Sequence, residues 1–226
     1  MLVSIDNDKV IAGFTTKFGG VSKGVYESLN LAYHVGDNKL KVEQNREILA
    51  HKIKAKKLIF MEQIHSDIVQ NLSDINQILE PCDAIFTNLA QVGLCVMVAD
   101  CSPVLLYDKK LNLISAIHAG RAGAISKIIT KTIAKMGSNP KNIKTIIGPN
   151  IKKDCYEIGD LDLVEFNKFK DGFKFDLDGA LRFELDGIGV KDYEFSDICS
   201  HCDDRFYSYR KSGSTGRFAG FIMLKG

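Results

Sequence analysis

Residues 96–123 read VMVADCSPVLLYDKKLNLISAIHAGRAG. Two apolar runs there carry a thiol, Cys101, and an imidazole, His118, at their edges, and a second imidazole, His65, closes another short run in MEQIHSDIV. Two imidazoles and one thiolate suit zinc and leave a fourth tetrahedral position for water or substrate. A bound cation would hold the thiol deprotonated. The three residues are far apart along the chain, so only folding can bring them together. Each also has an architectural reading: Cys101 as a small buried apolar group, His118 as a core histidine bonded to backbone.

Two further stretches could grip an anion. HAGRAGAISK places Gly120 and Gly123 around a helix start whose first N–H groups lack partners, a setting that attracts phosphate or developing negative charge. A tight strand-to-helix turn would use the same glycines. Near the other end, Arg205, Arg210, Lys211 and Arg217 cluster around RFYSYRKSGSTGR. Arg210, close to two tyrosines, could hold a phosphate or carboxylate bidentately; a solvated basic loop is the alternative. Asp100, beside Cys101, either orients a ligand or caps a turn. Cys199 and Cys202 form one C-x-x-C with His201 inside it, but no second pair exists to complete a structural zinc site.

The flanking segments must deliver these side chains. VIAGFTT alternates like a strand and runs into KFGGVSKGVYESLN, whose glycines mark a loop. KLKVEQNREILAHKIK spaces Leu40, Val42, Ile48, Leu49 and Ile53 as a helix does. KLIFM, DIVQNL, DAIFT, GLCVMVA, VLLYD and LISAIH are short apolar runs that predict buried strands. The lysine pair between Tyr107 and Leu111 predicts a hairpin. Ile125, Ile128, Ile129, Ile133 and Met136 predict a helix ended by GSNP, and IKTIIGPNI a strand stopped by Gly148 and Pro149. DLVEFNKF and GALRFELDGI read as helical, FYSYR and FAGFIML as terminal strands. No repeat or linker divides residues 1–226, so a single domain is expected, an α/β or α+β sandwich with mixed β-sheets flanked by helices.

Composition narrows the function classes. A net charge of +2 across 226 residues suggests neither a nucleic-acid nor a membrane partner. No apolar run approaches the length of a bilayer span, and the N-terminal stretch is unlike a signal peptide. Six cysteines, mostly in apolar segments, read as reduced thiols of a cytoplasmic protein.

Seven stretches occur in one order: TTKFGGVSKGVYESLNLAYHVGD…NR, QIHSD, DAIFT, VADCSPVLLYD, AIHAGRAG, IGPNI…CYEIG and FYSYR…TGR. From about Phe14 to Met223 they resemble the laccase-domain (polyphenol oxidase, YfiH-like) family of purine nucleoside phosphorylases. The resemblance implies a His–Cys–His zinc site matching His65, Cys101 and His118. It implies phosphorolysis of adenosine, inosine and S-methyl-5'-thioadenosine with inorganic phosphate, and deamination of adenosine. It also implies an α+β fold similar to cysteine-dependent toxin deamidases, a monomer, and a role in activity for Arg210. Phe18, Asn30 and Tyr156 lie in family motifs and, with Gly120 and Arg121, are candidates to bind nucleoside or phosphate. One departure stands out: Arg121-Ala122 replaces the family's usual Trp followed by Arg or Lys, which removes an aromatic shelf.

Other reaction classes compete. A multicopper oxidase needs a trinuclear cluster, and five histidines are too few for it, although copper in the trio could oxidise phenols weakly. A metal-free cysteine hydrolase would use Cys101 as nucleophile and His118 as base, for instance on an amide of a cell-wall precursor. A nucleoside- or partner-binding protein without turnover is the remaining class.

Overall fold

In the computed structural model, which describes Met1–Gly226, the short apolar runs become strands. The chain opens with β1 (Leu2–Asp6) and β2 (Val10–Phe14), and a long loop leads to α1 (Lys39–Ile53). Next come β3 (Lys57–Phe60), β4 (Val69–Asn71), β5 (Ala84–Thr87), β6 (Val92–Val98), β7 (Ser102–Asp108) and β8 (Leu113–Ala119). Two helices, α2 (Arg121–Ile125) and α3 (Ile128–Lys135), precede β9 (Ile143–Ile147), and the two-residue strands β10 (Lys170–Asp171) and β11 (Lys174–Phe175) follow. The remainder is α4 (Leu177–Ile188), β12 (Asp192–Phe195), α5 (Tyr209–Ser212) and β13 (Phe218–Leu224).

Two mixed sheets result, one ordered β1-β2-β13-β6-β3 and the other β12-β9-β7-β8-β5-β4. Alternation along the strands explains how they stack. Leu94, Val96 and Val98 of β6 face Leu105 and Tyr107 of β7 and Ile114 and Ala116 of β8 in the core between the sheets. Cys95 and Met97 point the other way, toward Leu49 and Ile53 of α1. On the far side, Leu106 and Ile117 pack on Ile129 and Ile133 of α3 and on Leu181 and Leu185 of α4. The layers are therefore helix, sheet, sheet, helix. Each fully buried aliphatic side chain contributes about 1.5–3 kcal/mol of transfer free energy. By the same parity His118 shares the inward face of Ile114 and Ala116, which aims it into the gap between the sheets.

Several local expectations give way to side-chain hydrogen bonding. Leu40 is 70% exposed, and the buried stripe of α1 is Val42, Asn45, Leu49 and Ile53. Asn45 is buried because it organises the loop before it: its amide donates to Ser22 Oγ and the Asn30 carbonyl, and its oxygen accepts from Val21 N. The predicted helix after the glycines is two helices, broken where Lys127 adopts φ 59°. FYSYR is not a strand. Ser208 Oγ accepts from Lys211 N and caps α5, while Arg210 N donates to Asp100 rather than to a neighbouring strand. The lysine-pair hairpin is present, with β7 and β8 antiparallel and Asp108 accepting from Lys110 N and Leu111 N.

Glu184 on α4 is 3% exposed. Its Oε1 accepts from Thr130 N and Oγ1, while Oε2 has no partner. Burial pushes the carboxyl up to about 7 despite those hydrogen bonds. The folded chain thus holds this proton more tightly than the unfolded one. The resulting stability is present below the usual glutamate range, about pH 4.5, and is lost as pH rises through about 7. Glu184→Gln is expected to stabilise the protein at about pH 8 by roughly 1–3 kcal/mol and to change it little at about pH 4.5. Urea melts at the two pH values check this, and an equal effect at both would contradict it.

Candidate metal centre

Between β6 and β7 the chain crosses from one sheet to the other, and Cys101 stands at the end of that crossing. Asp100 just before it has φ 104°, and His65 has φ 59°. Both are left-handed values that non-glycine residues avoid. Strained backbone of this kind persists only where the surroundings over-determine it. His118 lies on β8 opposite Pro103 of β7. The ligand atoms of His65, Cys101 and His118 all fall within 4.8 Å of one another, and the two imidazoles meet edge to face, 4.7 Å between centroids. Gly120 makes room for this group: a Cβ there would stand 2.8 Å from Cys101 Sγ.

A residue that the sequence reading passed over organises the centre. Asp83, fully buried at the start of β5, holds His118 Nδ1 at 2.7 Å and so leaves Nε2 as the ring's free donor atom. The same carboxylate accepts from His65 N at 3.0 Å, Ser66 N at 2.6 Å and Ser66 Oγ at 2.7 Å. It therefore orients one imidazole directly and the other through its backbone, the carboxylate–histidine pairing typical of metal sites. Burial pushes the Asp83 carboxyl up, but His118 and Ser66 outweigh it and hold the group down at about 2. Burial likewise raises the Cys101 thiol, yet the neighbouring imidazoles of His118 and His65 bring it down to about 6. His118 is lowered by burial and raised further by Cys101 and Asp83, to about 9. Both shifts favour separation of charge between the Cys101 sulfur and the His118 ring.

The trio lines a cavity of about 370 Å³, whose wall includes Tyr156, Tyr209, Arg210, Arg217 and His34. The Asp100 carboxylate makes no hydrogen bond to the ligand side chains. It takes Ser200 Oγ at 2.9 Å and Arg210 N at 2.7 Å, which seats Arg210 in the wall. Arg210 also donates to the Glu157 carbonyl and lies 5.7 Å from the Tyr156 ring. Asn30 is buried behind the wall and accepts from Arg217 N, so it acts by positioning. Arg217, whose guanidinium bonds the Thr215 and Gly216 carbonyls, and His34 are cavity residues that motif reading did not single out. Phe18 and Arg121 line two other surface depressions. The five-residue α2 after Gly120 is too short to serve as an anion-binding helix, and Gly120 acts through the room it leaves for Cys101.

A family model described as multi-copper polyphenol oxidoreductase laccase matches residues 11–225. The chain belongs to this family. Among laccase-family relatives, it is 36% identical over 230 residues to purine nucleoside phosphorylase Cgl2154/cg2365 of Corynebacterium glutamicum, covering 93% of both chains. It is 32% identical to purine nucleoside phosphorylase YfiH of Escherichia coli, covering 95% of this chain and 94% of that protein. Protein NMB0706 of Neisseria meningitidis superposes with TM-score 0.92 at 34% identity, over 100% of this chain and 99% of the other. YfiH of Bacillus licheniformis superposes with TM-score 0.89 at 30% identity, over 99% of each chain.

The donor set fits a metal ion: three convergent ligand atoms, one His tautomer fixed from behind, and a cavity on the open side. It does not fit the multi-copper part of the laccase family's description. His51 lies on α1 and His201 beside Cys202, so no second group of histidines forms. No helix is long and apolar enough to cross a membrane.

Proposed function

We propose that the chain is a purine nucleoside phosphorylase of the cytoplasm, working as a monomer. One zinc ion would be held by His65, Cys101 and His118. The observation that carries this reading is the placement of the trio in one cavity with two arginines, Arg210 and Arg217. The names of the relatives support the substrate class. Inosine, adenosine and S-methyl-5'-thioadenosine are the proposed nucleosides, and adenosine deamination is the proposed second reaction. Zinc, when bound, supplies a Lewis acid and lowers the pKa of coordinated water. Copper in the same trio would give only weak phenol oxidation.

Phosphorolysis forms a bond from a phosphate oxygen to the ribose C1' and breaks the C1'–N9 bond, whose electron pair leaves with the purine. Charge therefore develops in two places, positive on the sugar and negative on the base. Arg210 and Arg217 supply fixed positive charge for the phosphate dianion; carbonyl contacts hold both guanidiniums and Asp100 anchors the Arg210 backbone before substrate arrives. Tyr156 and Tyr209 offer aromatic surface for the nucleoside. Asp83 keeps His118 in one tautomer and keeps His65 on its strained turn.

Inosine or adenosine incubated with zinc-loaded protein should give free base and ribose 1-phosphate only when phosphate is present, and chelation should stop it. Absence of both products from every nucleoside tried would remove the reading. Arg210→Ala is expected to raise KM for phosphate about 10–100-fold, the equivalent of one or two charge-assisted hydrogen bonds. KM for the nucleoside should change less. Initial rates across a phosphate series separate the two.

One observation favours a second reading. Asp83, His118 and Cys101 also form the orienter, base and nucleophile of a cysteine hydrolase. Such an enzyme would be active without metal and inactivated by thiol alkylation, whereas bound zinc should protect Cys101 in the phosphorylase.

A further inference from the structure

A second group of cysteines lies outside this cavity. Cys199 and Cys202 stand on the loop between β12 and α5, and folding adds a thiol that no local spacing announces: Cys155, from the turn after β9. The three Sγ atoms lie within 4.8 Å of one another, and Cys155 and Cys202 are 3.4 Å apart. Zinc–sulfur bonds of about 2.3 Å in a tetrahedron place neighbouring sulfurs roughly 3.8 Å apart. A disulfide needs about 2.05 Å. The sulfurs are thus spaced as ligands of one ion rather than as a bonded pair.

The backbone around them is prepared for negative sulfur. Cys199 Sγ accepts from the Lys152 amide at 3.4 Å, and the Cys202 and Asp203 amides donate to the Cys199 carbonyl, which fixes the turn that carries the thiol. A backbone amide directed at a sulfur stabilises a thiolate ligand. His201 brings its Nδ1 to 3.9 Å from Cys202 Sγ, on the same loop.

We propose that Cys155, Cys199 and Cys202 hold a second, structural zinc ion, with His201 or water as fourth ligand. Each thiol releases its proton on binding. The ion pins two loops that both reach the cavity. Cys155 is adjacent to Tyr156 in the wall. Ser200, next to Cys199, bonds Asp100, which in turn seats Arg210. A parallel bridge between Asn150 and Cys199 already joins the same loops. The site does not depend on which reaction the cavity performs.

Metal content and cobalt spectra test this. Wild type prepared reduced with zinc should carry two equivalents per chain by elemental analysis and native mass spectrometry. Cys101→Ala, which leaves the three-thiol group intact, should retain one. Loaded with cobalt(II), Cys101→Ala should show a sulfur-to-cobalt charge-transfer band, because its thiolates then come from the second site alone. Adding Cys199→Ser should remove that band. A Cys101→Ala protein that binds no metal, or binds cobalt without the band, overturns the proposal. A Cys155–Cys202 disulfide found in place of metal overturns it too. Loss of the phosphorylase reading would instead appear as missing product with both equivalents bound.

Discussion

Cys101→Ala is expected to lose the ion of the His65–Cys101–His118 centre and to lower phosphorolysis by at least about a thousandfold. Even removal of a residue behind a ligand costs about 10–100-fold in metal affinity, and Cys101 would be the only anionic donor of the three. The substitution is sterically mild. The thiol lies beside Gly120, and β7 next to it is held in register by its pairing with β8. The folded protein should therefore survive, and circular dichroism with zinc titration can separate loss of the ion from loss of structure. A variant that folds, binds zinc at the centre as tightly as wild type and turns over inosine would show that the sulfur is not a ligand.

Asp83→Asn should weaken zinc binding at that centre by about 10–100-fold without touching a ligand atom. The change keeps side-chain volume but puts an amide among donors. His118 Nδ1, His65 N, Ser66 N and Ser66 Oγ all converge on the carboxylate, and an asparagine can accept through one atom only. Stability of the metal-free protein should fall as well, by about 3–5 kcal/mol at neutral pH, as when a buried charge pair loses one partner. The folded carboxyl, at about 2, lies below the usual aspartate value of 3.8. Its contribution is therefore full above about pH 4 and disappears as pH falls toward 2. Denaturation of both metal-free proteins across that range should show the gap closing on the acid side. A constant gap would mean that the loss comes from packing rather than from the charge.

How far the residues announced this arrangement differs from element to element. The buried strands β5 to β9 are legible because both their faces are covered, so their apolar runs are continuous and end at polar or glycine punctuation. FYSYR misleads because its aromatic alternation looks like a strand, while the backbone hydrogen bond that decides the matter goes to Asp100, distant in sequence. The helix break at Lys127 has no glycine or proline to signal it. His65, Cys101 and His118 are visible as chemistry, but their convergence depends on a crossing between two sheets. Asp83 carried one signal that could have been used: an ionisable residue opening the otherwise apolar DAIFT run. Cys155 carried none, because its partners are reached only through the pairing of Asn150 with Cys199.

The strand order of the first sheet bears on how the protein comes into being. β13 is the last of the strands to leave a ribosome, yet it is the middle one, with β2 on one side and β6 on the other. Until it arrives, both neighbours present bare hydrogen-bonding edges that invite wrong partners. Arg217, just ahead of it, reaches its place only in the same final insertion. A nascent chain should therefore be inert and vulnerable to aggregation until β13 has been made, and deleting that strand should cost both solubility and turnover together.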